Sequence, residues 1–179
     1  MASSKAPGAS DYVLDFEGFP GRWEILETTA ETDGERLTTR MHLDERSELP
    51  VHVHPHAEEV YEVETGEIEV RVDGEWSTLA AGDRMVVPAG TEHAFRNPGP
   101  ATVRNVHRPA MRIEAFFRRF HALKTERGVS MPPEGLRSTI LLAMLFAEYD
   151  DELVVAGPQR WVFGALAALG RVLGYDLPD

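Results

Sequence analysis

The sequence contains no cysteine. Disulfides, zinc–thiolate sites and cysteine nucleophiles are therefore excluded. Lysine is nearly as scarce, 2 residues against 16 arginines, a bias read most simply as codon usage in a GC-rich genome. Positive charge is short overall: 18 Lys and Arg stand against 30 Asp and Glu, a net charge of -12. A surface that neutralises phosphates needs the opposite balance, so neither nucleic acid nor an anionic membrane is an expected partner. The longest apolar run, Ile140 to Ala147, is far shorter than a bilayer span. Residues 1–10 are small and polar, without the apolar core of a signal peptide, so a cytoplasmic protein is expected. No internal repeat, Gly-x-Gly-x-x-Gly loop or Ser-His-Asp constellation stands out.

What is present divides in two. Of the 179 residues 42% are apolar, enough for one well-buried domain. Residues 1–110 carry 21 acids against 10 bases, whereas residues 111–179 carry 9 against 8. The apolar period changes at the same place, from alternation to helical spacing. In Glu67-Ile68-Glu69-Val70-Arg71-Val72 every second residue is apolar, and Asp73-Gly74 supplies a tight hairpin turn. Further strands are expected over 22–28, 35–43, 58–64, 84–88, 93–97 and 102–108, which suggests a sandwich or closed barrel. The organisation expected is a flexible tail over 1–11, a β-barrel over 12–110 and a helical extension over 111–179.

In that extension Ile113, Phe116, Phe117, Phe120 and Leu123 form a helical stripe with Gly128 as a stop. A second helix is expected from Glu134 to Tyr149 and a third from Pro158 to about Gly174. The last two are apolar on more than one face, which predicts packing on the barrel or across a subunit interface. Trp23, Trp76 and Trp161 are dispersed and read as core or rim packing.

The stretch His52-Val53-His54-Pro55-His56-Ala57-Glu58-Glu59 carries the chemistry. On a strand His52 and His54 face the same way, so both imidazoles can reach one ion. Imidazole with carboxylate suits iron, manganese, nickel, copper, cobalt or zinc, not calcium. His56 continues the alternation and Glu58 competes with Glu59, so the residues alone leave the pairing open. His42 and His107 fall on expected strands, where half-buried packing is the simpler role, and His121 falls on a helix surface. Arg40, Tyr61 and Arg104 are candidates to line a pocket and orient an anionic or carbonyl substrate, although an arginine on a strand is more often a solvated or ion-paired surface group.

Two spaced motifs then make the sequence resemble the cupin superfamily. The first, H-x-H-x4-E-x6-G, is matched by His52, His54, Glu59 and Gly66. The second, G-x5-P-x-G-x2-H-x3-N, is matched by Gly82, Pro88, Gly90, His93 and Asn97, with 15 residues between the two. The resemblance implies a mainly β fold, the double-stranded β-helix or jelly-roll barrel, here with a C-terminal α-helical extension. It implies His52, His54, Glu59 and His93 as ligands of one divalent transition metal per chain, Asn97 as structural, and a homodimer. It also implies action on a small organic molecule, foremost by oxygenase chemistry, with Glu59 as ligand and base and Tyr61 as hydrogen-bond donor to substrate. The alternatives are a non-redox isomerase, cyclase, lyase or decarboxylase, and a module that binds metal or metabolite without turnover.

Overall fold

The computed structural model describes residues 12–178 apart from 17, 19, 45 and 157–159. The expected tail over 1–11 and the expected helix start at Pro158 lie outside the described residues. Among the described residues, twelve strands and three helices follow one another. They are β1 (Val13–Asp15), β2 (Arg22–Glu27), β3 (Leu37–Leu43), β4 (Ser47–Glu48), β5 (His52–Val53), β6 (Glu58–Thr65), β7 (Glu67–Val72) and β8 (Glu75–Ala80). Then come β9 (Arg84–Val87), β10 (His93–Asn97), β11 (Ala101–Arg108), α1 (Ile113–Thr125), α2 (Gly135–Glu148), β12 (Val154–Val155) and α3 (Arg160–Val172).

Two antiparallel sheets form, one in the order β1-β2-β3-β11-β6-β9 and the other β12-β5-β10-β7-β8, with β4 also on β10. Alternation decides which side chains enter the core. On β11, Ala101, Val103 and Asn105 are buried while Thr102 and Arg104 between them reach solvent. At the β7–β8 hairpin Asp73 and Gly74 both take positive φ, 47° and 93°, the geometry whose twist matches the flanking strands. Gly66 takes φ 74°, and a side chain there would collide with the backbone of Pro100 and Ala101. The glycine that ends the first motif thus lets two chain segments touch.

The extension is wound into the barrel as well as onto it. On α1 the stripe Ile113, Phe116, Phe117, Phe120 and Leu123 is buried. Phe117 meets the Trp23 ring edge-on at 4.8 Å, and Phe120 lies 5.3 Å from Phe16. On α2 every residue from Ile140 to Leu145 is buried. Gly170 of α3 approaches it so closely that a Cβ would meet Met144 and Ile140. Between α2 and α3 the chain returns to the second sheet as β12, which pairs with β5 through Val154↔Val53 and Val155↔His52. Nothing in residues 111–179 as a sequence announces that strand. Trp161, read as packing, is instead 74% exposed on α3.

Candidate metal centre

Four donor side chains converge where the two sheets face each other. His52 and His93 are directly opposed on β5 and β10. His54 follows two residues beyond His52 on the same side, its ring 5.1 Å from that of His52. Glu59 reaches in from β6 in the facing sheet. One donor atom from each of His52, His54, Glu59 and His93 lies within 4.8 Å of the others, and all four residues are buried. Four donors gathered this closely could hold a single ion.

Each imidazole is fixed by a backbone carbonyl, which can only accept, so the Nδ1 atoms carry the protons. His52 Nδ1 donates to Pro50 O at 2.9 Å, His54 Nδ1 to Glu152 O at 2.7 Å and His93 Nδ1 to Thr91 O at 2.9 Å. The Nε2 atoms are thereby presented as ligands, the arrangement by which outer partners orient a metal-binding histidine. Burial, reinforced by His93 and His54, pushes His52 down to about 3, so its imidazole is neutral at pH 7. Burial also opposes charge on His93, but the hydrogen bond and charge of Glu59 outweigh it and raise its pKa. His93 Nε2 donates to Glu59 Oε2 at 2.7 Å, the contact into which a metal ion would insert. Burial alone would raise the Glu59 carboxyl; the surrounding imidazoles hold it well below the ordinary carboxylate range.

The two oxygens of Glu59 face different surroundings. Oε2 meets His93 and, at 3.4 Å, His54 Nε2. Oε1 accepts from Asn105 Nδ2 at 2.7 Å and lies 3.6 Å from His107 Nε2. Asn105 has no local sequence signature; only its inward phase on the strand 102–108 could have singled it out. Glu152, 98 residues from His54, had no signal at all. His107 is fully interior, beside His54 at 4.8 Å between rings and Phe117 at 5.5 Å. Tyr61 is buried against Phe95, with its hydroxyl toward Glu59. Its pKa is held well above the ordinary phenol value by burial and then by the Glu59 charge.

The open alternatives resolve by position. His56 is exposed in a bend, and Glu58 turns outward to pair with Arg108. Arg40 and Arg104, candidates to line the pocket, also point away from it. Their neighbours Thr39, Met41, Val103 and Asn105 occupy the inward phase, so the arginines face out and pair with Glu64 at 2.7 Å and Glu62 at 2.8 Å. His42 shares that outer face, 3.5 Å from Glu24. Asn97 is buried and donates to Gly99 O at 2.8 Å, a structural contact. A cleft of about 760 Å³ opens nearby, lined among others by Arg22, Asp44, Arg46, Leu49 and Pro50. None of the four donor residues lines it, but it brings solvent up to Pro50, whose carbonyl holds His52.

Comparison with known proteins agrees with this geometry. Residues 39–107 match the family described as "Cupin domain". The sequence is 40% identical over 55 residues to "Polyketide synthase CurC" of Streptomyces cyaneus, covering 31% of this chain. The match spans about a third, 36%, of that curated relative's length. Among solved structures, an RmlC-like cupin from Shewanella frigidimarina is 25% identical with a TM-score of 0.50, over 62% of this chain and 94% of that one. The protein TT1209 from Thermus thermophilus is 34% identical over 43% of this chain and 75% of that one, with a TM-score of 0.41. Both spaced motifs and a buried His-His-Glu-His cluster meet in one matched segment: residues 39–107 are a cupin domain.

Proposed function

We propose that the protein is a metal-dependent enzyme acting on a small organic molecule, with oxygenase chemistry as the first reading. The observation that carries it is the donor set, three imidazoles and one carboxylate within 4.8 Å of one another. Four such donors leave two positions of an octahedral ion for exogenous ligands. A transition metal held there supplies Lewis acidity and, where redox-active, electron exchange with dioxygen.

The chain's own residues supply the rest. Pro50, Glu152 and Thr91 hold the three imidazoles in the ligating tautomer. Asn105 fixes Glu59 Oε1, leaving that oxygen a further lone pair with which to take a proton from bound substrate. The Tyr61 hydroxyl, buried beside Glu59, can donate a hydrogen bond to a substrate oxygen. Burial of all four donors keeps bulk water from the reacting centre.

A second reading, non-redox chemistry such as cyclisation or isomerisation, is favoured by the similarity to a protein named as a polyketide synthase. Elemental analysis of the purified protein, followed by aerobic and anaerobic screening against a metabolite library, separates the two. Iron, or copper or nickel with oxygen-dependent turnover, is the expected result. Zinc with an anaerobic rearrangement would replace the first reading by the second. A compound that raises the melting temperature but is never converted would make the protein a binding module.

A further inference from the structure

Arg112 stands at the junction between the barrel and α1, immediately before Ile113. It contacts the turn formed by residues 148–152 at four points. Its backbone N–H donates to Glu152 Oε1 at 2.9 Å. Its guanidinium Nη2 donates to Glu148 O at 3.0 Å and to Asp151 Oδ1 at 2.6 Å. The same guanidinium lies over the Tyr149 ring, 4.7 Å from its centre. Glu148 ends α2, so a cation meets one of the carbonyls that a helix leaves unbonded at its C-terminus. Met111, just before Arg112, takes φ 45°, a conformation that persists only where its surroundings over-determine it.

The turn so clasped ends on the carbonyl that accepts from His54 Nδ1 at 2.7 Å. It is closed on itself by Glu152 N–H and Leu153 N–H, which both donate to Tyr149 O, at 2.9 and 3.0 Å. A carbonyl points where its rigid peptide plane points, so whatever fixes the backbone at Glu152 also aims the imidazole. Two anchors do this from opposite ends. Beyond Glu152, β12 lies on β5, and Ala156 N–H donates to Val51 O at 2.8 Å. Before Glu152 stands the Arg112 clasp. The first anchor consists of backbone bonds in a sheet, whereas the second depends on charge at the surface. The Arg112 and Asp151 side chains are 48% and 46% exposed, against 3% for His54. Exposed ion pairs weaken in salt, and buried groups feel that screening far less.

We propose that Arg112 is a positioning residue for the metal centre: its clasp on the 148–152 turn holds the Glu152 carbonyl on His54, so the grip on the ion depends on a surface ion pair. This rests on the metal-enzyme reading above and adds to it a control point outside the donor set. Coupling of this kind is reciprocal. An ion that fixes His54 tightens the clasp, and salt that loosens the clasp weakens the hold on the ion.

The test uses the full-length chain and cobalt(II), with affinity read by competition with a chelator at low and at high salt. Arg112→Ala is expected to weaken cobalt binding about tenfold, a usual cost of losing an outer partner, and to flatten the salt dependence. Arg112→Lys keeps the charge without the planar fork and is expected to fall between the two. Arg118→Ala, which breaks an ion pair with Glu114 on the same helix, is expected to bind cobalt as the parent does. The d–d absorption of bound cobalt is expected to change in Arg112→Ala and not in Arg118→Ala, since only the former frees His54 to turn. Cobalt loading of the parent is expected to slow hydrogen exchange at the Arg112 amide, which donates to Glu152 Oε1. Should Arg112→Ala not fold, Asp151→Asn weakens the same pair and leaves the arginine in place. Parent-like affinity and spectrum in these variants, or an equal loss in Arg118→Ala, would overturn the role of Arg112 while the metal reading stands. Failure of the parent chain to take up cobalt would instead sink the metal reading itself.

Discussion

His54 and Glu152 are joined by a 2.7 Å hydrogen bond from the imidazole Nδ1 to a backbone carbonyl 98 residues further along the chain. His54 belongs to the motif-bearing domain and Glu152 to the segment between α2 and α3. The C-terminal extension therefore helps to aim a candidate metal ligand. Glu152 is in turn held by its own buried carboxylate, which accepts the Arg112 backbone N–H at 2.9 Å, while Arg112 grips Asp151 at 2.6 Å.

This linkage predicts faster metal exchange when the segment is loosened. Val154→Pro removes a backbone donor from the two-residue β12 beside β5. With the carbonyl no longer fixed on His54, dissociation of the ion should accelerate by roughly tenfold or more, in line with other losses of outer partners. Stopped-flow transfer of cobalt to a chelator measures the rate, and an unchanged rate would show that His54 needs no such support.

Asn105 gives a second test of the same kind, from the carboxylate side. Asn105→Ala leaves Glu59 Oε1 without its 2.7 Å donor. Metal affinity should fall by about 10–100-fold, the usual cost of removing an outer-shell partner. Competition with a calibrated chelator provides the number, and Asn105→Asp should do worse than Ala because it sets two carboxylates together.

The donor set itself makes the simplest prediction. Purified protein should carry close to one transition-metal ion per chain, by mass spectrometry of the elements. Replacing His52, His54 and His93 by Ala together should remove most of it, and full retention would refute the site.

Acid stability has a separate origin, on the barrel's outer surface. Glu27 accepts from Arg36 and from Thr38, and these bonds lower its pKa from 4.5 to about 2. A depressed carboxylate contributes stability that is present above its unfolded value and lost as pH falls through the folded one. Denaturant titrations should therefore show this contribution fading between pH 4.5 and about 2, and Glu27→Gln should flatten that limb of the curve. Both side chains are about one-third exposed, so the effect will be small and weaker in salt.

For assembly we propose the homodimer that the resemblance implies, with α3 in its interface. Trp161, Leu169 and Val172 on that helix expose apolar surface, as does Leu173 just beyond it. Light scattering should give twice the chain mass, and Trp161→Glu with Val172→Glu should halve it. A monomer mass for the parent protein at micromolar concentration removes the idea.

Much of the fold was legible because alternation and helical period are local. The strands on either side of Asp73-Gly74 and the stripe on α1 stand where their spacing put them. The donor cluster was legible because both motifs are short and contiguous, so His56 and Glu58 could be weighed against their neighbours. What could not be read depends on contacts between distant segments. β12 is two residues long and owes its conformation to β5, and Glu152 acts through a carbonyl that every residue possesses. Whether Arg40 and Arg104 face the pocket or the solvent stayed open for a simpler reason. Alternation fixes which residues share a face but not which face is inside, until a neighbour such as Met41 or Val103 is known to be buried.

The pairing of His52 with His93 across β5 and β10 has a consequence for how the molecule comes to be correct. Two ligands that oppose each other in one ladder meet only if the strands are aligned as they are here; a slip of one residue turns one of them to the other side of the sheet. A misaligned chain would bind the ion weakly and gain little from its presence, whereas the aligned chain would be stabilised in proportion to the logarithm of metal concentration. If the cluster binds its ion as proposed, metal supply during synthesis would act as a proofreader of strand alignment, and protein produced under metal starvation should contain a larger misassembled fraction even where its total yield is unchanged.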